Sequence, residues 1–189
     1  MKQMEFANKT RIFLTRPLEG FRKVRKELLG DTLRFAAIWL VILGLLIGTI
    51  FAVAWKIVAG MFEEMVPSWL ENLGYLSIPA FPVMALIIGL IVIIIGAAWL
   101  HLWVLLVSRG KGYAQTVKAL VYGSVPSYVL GWIPFVNVIA AVWSIILGIL
   151  GLRELHEIST GKAVAAFLIA CLIPIAAILS IWPFLPPKT

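Results

Sequence analysis

Apolar residues in this chain come in long runs, not in the alternation or the three-to-four spacing of a soluble fold. The runs cover Phe35–Val58, Pro79–Val107, Tyr113–Leu130, Pro134–Leu152 and Lys162–Trp182. Each is near the roughly 20 residues that a helix needs to cross the hydrocarbon of a bilayer. The pattern predicts an all-α fold, a polytopic membrane helix bundle with about five transmembrane helices, of which the third and fourth are short. The "AVA" at Ala52–Ala54 resembles a cleavage site, but the run before it exceeds the ~15 apolar residues of a signal peptide and follows a long basic leader. The first run is therefore expected to be a retained span.

Within the leader, Leu18, Phe21, Val24 and Leu28 share one face of a helix over Pro17–Leu29, opposite Arg22, Lys23 and Lys26. Such a short N-terminal amphipathic helix lies in the headgroup plane and favours anionic lipid headgroups. A plain basic flank to the first span is the alternative. The expected division is a leader over residues 1–34 and a transmembrane domain over residues 35–189.

The stretch "VYGSVPSYVLGWIPFVN" interrupts the third run. Pro126 deprives the Tyr122 carbonyl of its helical partner, and Pro174 does the same to Ala170 in the fifth run. In lipid these carbonyls need protein partners, so the sequence predicts a buried polar seam of Tyr122, Ser124, Pro126, Tyr128, Ser144 and Pro174. It would face a stripe of small residues, Ala140, Ser144 and Gly148. Gly44 with Gly48, and Ala166 with Ala170, are further small pairs. They suit helix contact within the chain or in a homo-oligomer.

Composition agrees with a membrane protein: 62% of the residues are hydrophobic and only 13% charged, against about a quarter in soluble domains. The net charge of +7 is explained by loops retained in the cytoplasm, not by nucleic acid, and no nucleic-acid partner is expected. Lys2, Lys9, Arg11, Arg16, Arg22, Lys23, Arg25, Lys26 and Arg34 precede the first span, whereas Glu63, Glu64 and Glu71 follow it. Basic residues return in "SRGKGYAQTVK" and "RELHEISTGK". With five spans this gives a cytoplasmic N-terminus and an external C-terminus. Trp55, Trp132 and Trp182 fall near the outer boundary and Trp39, Trp99 and Trp103 near the inner one. The lone Cys171 excludes an intrachain disulfide.

Catalytic signatures are missing. "STGKA" has His156 where a P-loop requires glycine, "GSVPS" is no nucleophile elbow, and Glu63 with Glu64 reads as a solvated pair. No enzyme activity, cofactor or metal is expected. His101 is the ionisable residue well inside a run, either an interfacial side chain beside Trp99 and Trp103 or a proton or substrate contact. Lys56 and Lys118 are expected to snorkel. Arg109, Lys111, Arg153, Glu154, His156, Glu157 and Lys162 form a candidate cytoplasmic docking face; otherwise they are a charged turn that pins helix ends, with Arg153 complementing a helix dipole.

In order, "FLTRPLEGF", "GKGYAQTVKALVYGSVPSYVLGWIP" and "WSIILGILGLRELHEISTGKA" resemble the Yip (Yip one) domain family of five-span membrane proteins, over roughly Arg11 to Trp182. The resemblance implies a non-enzymatic organiser or adaptor for a membrane or cytoplasmic protein partner, since eukaryotic members act in membrane traffic with Ypt/Rab GTPases. The long polar N-terminal region of those members is absent here, so the expectation is a prokaryotic plasma membrane in place of Rab binding. The alternative is a small-solute or ion transporter or channel with a site between the kinked third and fifth spans. No acidic residue inside a span and no inverted repeat supports it.

Overall fold

Glycines set the closest approaches in the bundle. The computed structural model describes residues 5–61 and 67–181; Glu63, Glu64, Trp182, Lys188 and both chain ends lie outside the described residues. The chain folds into α1 (Phe6–Thr15), α2 (Pro17–Val24), α3 (Leu29–Met61), α4 (Ser68–Val107), α5 (Tyr113–Gly123), α6 (Val125–Leu130), α7 (Val136–His156) and α8 (Thr160–Ile181). Among the described residues four helices are long and apolar enough to cross a membrane: α3, α4 from Gly74, α7, and α8 to Ser180.

α3 and α4 form a long antiparallel hairpin. A Cβ on Gly44 would lie 2.5 Å from Pro82 Cα, and one on Gly48 would lie 2.5 Å from the Ser77 carbonyl oxygen. The GxxxG pair is thus used within the chain. The Ser77 hydroxyl bonds to Gly48 O (2.7 Å) and Gly74 O (2.6 Å). α4 begins well before the expected start at Pro79 and carries Pro79 and Pro82 inside it.

The third run is not one helix. Pro126 has no N–H to offer Tyr122, so α5 stops at Gly123 and α6 restarts at Val125; the Ser124 N–H reaches the carbonyls of Leu120 and Tyr122. At 1.5 Å per residue α5 alone is only ~17 Å long, too short for a hydrocarbon core of ~30 Å. The two pieces nevertheless follow α7 along its length. Ser127 meets Ser144, Gly123 meets Gly148, Ala119 meets Gly151 and Thr116 meets His156, an antiparallel register descending one turn at a time. The broken segment therefore lies beside α7 from His156 up to Ala140, ~24 Å of that helix's ~32 Å.

α8 packs on α4 and α7 through Ala163, Ala166 and Ala170. Trp99 donates its indole N–H to the Ala170 carbonyl at 2.8 Å, which is the carbonyl that Pro174 leaves free. Ala166 and Ala170, like Gly44 and Gly48, face inward.

The leader packs back onto the bundle. Phe13 and Phe21 are fully buried and Val24 nearly so. Phe13 stacks on Tyr122 (centroids 4.6 Å, 6° between planes), and Phe21 fills the space a side chain at Gly151 would need. Burial of each phenylalanine stabilises this docking by about 1.5–3 kcal/mol. The apolar face read as lipid-facing thus covers protein at Phe21 and Val24. Leu28 leaves that face because α2 ends at Val24, and it is exposed.

Candidate functional site

The loops at the basic end of the bundle converge on the leader, and Arg25 joins them. Its Nη1 donates to Glu157 (2.7 Å) and its Nη2 to the Glu154 carbonyl (2.6 Å). Its own carbonyl accepts Lys118 Nζ (2.9 Å) and Gln115 Nε2 (3.1 Å). Lys118 was expected to snorkel to water. It is buried instead, because the leader carbonyl covers the end of the bundle where water would have been.

A second tie runs through Glu27. One carboxylate oxygen pairs with Lys9 and the other accepts the Tyr122 hydroxyl at 2.7 Å. The Lys9 ammonium is buried and lies 6.0 Å from the Phe35 ring centre and 5.8 Å from that of Tyr122, so aromatic faces replace part of its hydration. Higher on the same side, Trp39 stacks on Tyr128 and donates to the Thr10 hydroxyl at 3.3 Å.

Glu157 follows α7 with φ of 55°, a left-handed conformation that glycine usually supplies at this position. Its carboxylate is shared by Arg25 and Lys111. The hydrogen bond from Lys111, and after it that residue's charge, hold the carboxyl below its ordinary pKa; burial opposes this, and Arg25 adds a smaller lowering. Two cations thus fix the acid that closes the helix.

Behind this lattice runs a chain of hydrogen bonds with a defined direction. The Lys111 backbone N–H can only donate, so His156 Nδ1 (2.8 Å away) is an acceptor and the imidazole proton sits on Nε2. That N–H donates to the Thr116 hydroxyl (2.9 Å), which in turn donates to His101 Nδ1 (2.8 Å). The imidazole centres are 5.8 Å apart. His101 therefore has a structural partner inside the protein, in addition to its place beside Trp99 and Trp103.

A groove of about 700 Å³ opens between the α4–α5 connection and the α7–α8 turn. Arg109, Lys111, His156, Glu157 and Lys162 of the expected docking face line it. Arg153 and Glu154 are not among the groove's lining residues: Glu154 accepts from Arg153 (2.8 Å) and from Arg22 of the leader (3.3 Å). Both sequence readings are visible together, with part of the set pinning helix ends and part lining open space. Among the described residues no cluster of His, Cys, Asp and Glu converges as metal ligands would.

The expected seam is brought together only in part. Ser127 and Ser144 bond to each other (2.8 Å), and the Ser127 N–H also reaches Ser144 (3.1 Å). Ser124 returns its hydroxyl to the Leu120 carbonyl (2.8 Å), and Pro126 is buried. Tyr122 and Tyr128 turn the other way, towards Glu27 and Trp39. Pro174 lies apart, exposed on α8. From sequence Lys9 and Arg25 read only as bases of the leader, and Glu27 and Thr116 not at all; the one signal was Glu27 as an acid directly after Arg25 and Lys26.

The all-helical bundle with several long apolar helices is that of an integral, multi-pass membrane protein. The chain belongs to the Yip1 domain family, whose domain matches residues 11–181. Neither a curated protein nor a solved structure matches it.

Proposed function

We propose that this protein is a non-enzymatic membrane organiser, an adaptor that holds a shaped basic face towards the cytoplasm for a protein partner. The reading places it in a prokaryotic plasma membrane, with a role akin to that of the membrane-traffic members of its family. The observation that carries it is the docking of the leader. Two buried phenylalanines, the Lys9–Glu27–Tyr122 tie and the Arg25 contacts fix α1 and α2 against α5 and α7. A surface that keeps its shape before a partner arrives loses less entropy on binding.

The test compares two properties of the full chain. Photo-crosslinking residues placed at Arg22 and Arg109 in native membranes should trap a discrete protein, while the same residue at lipid-facing Ile95 should not. The purified protein in liposomes should pass no ions or small solutes above empty-vesicle background. Robust flux without crosslinks would establish the transporter instead.

A further inference from the structure

We propose that the groove between the α4–α5 connection and the α7–α8 turn binds the phosphate of an anionic phospholipid. Charge is the first argument. Glu157, the acid on the groove wall, is already paired with Arg25 and Lys111, whereas Arg109 and Lys162 have no ion pair among the described residues. The groove thus holds net positive charge that the fold does not neutralise internally. α8 also opens here: the Lys162 backbone N–H is bonded to Ser159 Oγ (3.4 Å), so the positive end of that helix adds to the same field.

Shape supplies the second argument. About 700 Å³ admits a glycerophosphate headgroup. One wall is made by Leu105 and Leu106, exposed at 51% and 67%, at the end of the membrane-crossing part of α4. A phosphate held by Arg109 and Lys162 would have its acyl chains leaving along this wall into the bilayer. A free phosphate has no use for it, which is why the assignment is to a lipid. The proposal is independent of the adaptor reading, since a transporter would hold lipid there equally well.

The test is native mass spectrometry of the full chain in neutral detergent with added phosphatidylglycerol. Replacing Arg109→Gln together with Lys162→Gln should weaken lipid binding roughly thirtyfold, each base near an anionic headgroup contributing about a factor of five. Removing two charges elsewhere, Arg11→Gln with Arg34→Gln, should change it by less than about twofold. The charge-keeping pair Arg109→Lys with Lys162→Arg should restore binding, which shows that the groove is folded. Equal losses in the two glutamine pairs would overturn the site. Competition by inorganic phosphate or by an acidic peptide as effective as that by phosphatidylglycerol would overturn the lipid assignment.

Discussion

Tyr122 donates its hydroxyl to Glu27 at 2.7 Å, so a residue of the third apolar run holds the leader in place across 95 positions of sequence. Glu27 also neutralises Lys9, and both side chains are about nine-tenths buried, at 8% and 11% exposure. Tyr122→Phe keeps the ring stacked on Phe13 and removes one bond to a charged acceptor, an expected loss of about 1.5–3 kcal/mol. Glu27→Ala strands the Lys9 ammonium in the interior and should cost about 3–5 kcal/mol. Thermal unfolding orders the two variants, and faster hydrogen exchange over Phe6–Val24 reports whether the leader has let go. A leader equally protected in wild type and Glu27→Ala would show that the tie does not hold it.

A second prediction concerns close packing. A Cβ at Gly123 would lie 2.8 Å from both Cα and N of Gly148, backbone atoms that cannot turn aside. Gly123→Ala should therefore separate α5 from α7 and destabilise by about 1–3 kcal/mol, as overpacked cores do. Gly96 has nothing within 4 Å of the same added carbon, so Gly96→Ala should be neutral or stabilise by up to about 1 kcal/mol through helix propensity. Melting temperatures of the two variants in one detergent give the comparison, and a similar shift in both would remove the register from the account of stability.

These residues also show what the sequence could and could not reveal. Hydropathy located α3, α7 and α8 because lipid demands length and apolarity, and proline chemistry located the break after Tyr122. The partner of the Ala170 carbonyl, Trp99, was foreseeable only as a requirement, since the neighbour lies 71 positions away. Phe21 and Val24 read as membrane-facing because a bilayer and a protein interior are equally apolar, and periodicity cannot tell one from the other. His101, Thr116 and His156 were separate residues until the α5–α7 register brought them together. The expected docking face was half legible for a related reason: charge type marks a surface, but Arg22 and Arg25 decide which of its acids are already occupied.

Glu157 makes stability depend on pH. Its carboxyl is held below the ordinary value by Lys111 first, so its contribution is complete above the unfolded carboxylate pKa and is lost as the pH falls through the lower folded value. Thermal unfolding followed from about pH 6 to about pH 3 should fall less steeply in Glu157→Gln than in wild type. Glu19, lowered by Lys23, titrates in the same direction and stays in both proteins, so the difference in slope isolates Glu157. Because both partners of Lys111–Glu157 are exposed, the difference should shrink in high salt. Glu157→Gly separates the two roles of the residue: it relieves the left-handed backbone but releases Arg25, so leader exchange should speed up even if melting does not. Leader exchange unchanged in Glu157→Gly would show that the pair with Arg25 does not secure the leader.

The remaining prediction is the topology, which turns on α5 and α6. Neither crosses a bilayer alone, yet the pair follows α7 in register from Thr116 against His156 to Ser127 against Ser144 and the Ala140 carbonyl, ~24 Å of its ~32 Å. If α5 and α6 cross together, the α4–α5 connection and the turn before α7 lie on opposite sides, and the basic loops all fall on the cytoplasmic side. With Cys171 changed to serine, single cysteines at Glu64, Lys111 and Pro134 should be read with an impermeant thiol reagent in intact cells. Labelling at Glu64 and Pro134 without labelling at Lys111 is the expected result, and permeabilised cells should label all three. If Lys111 and Pro134 react alike, the third segment only dips into the membrane. The chain then crosses four times and both ends share one side, because α7 and α8 are each long enough to cross without help.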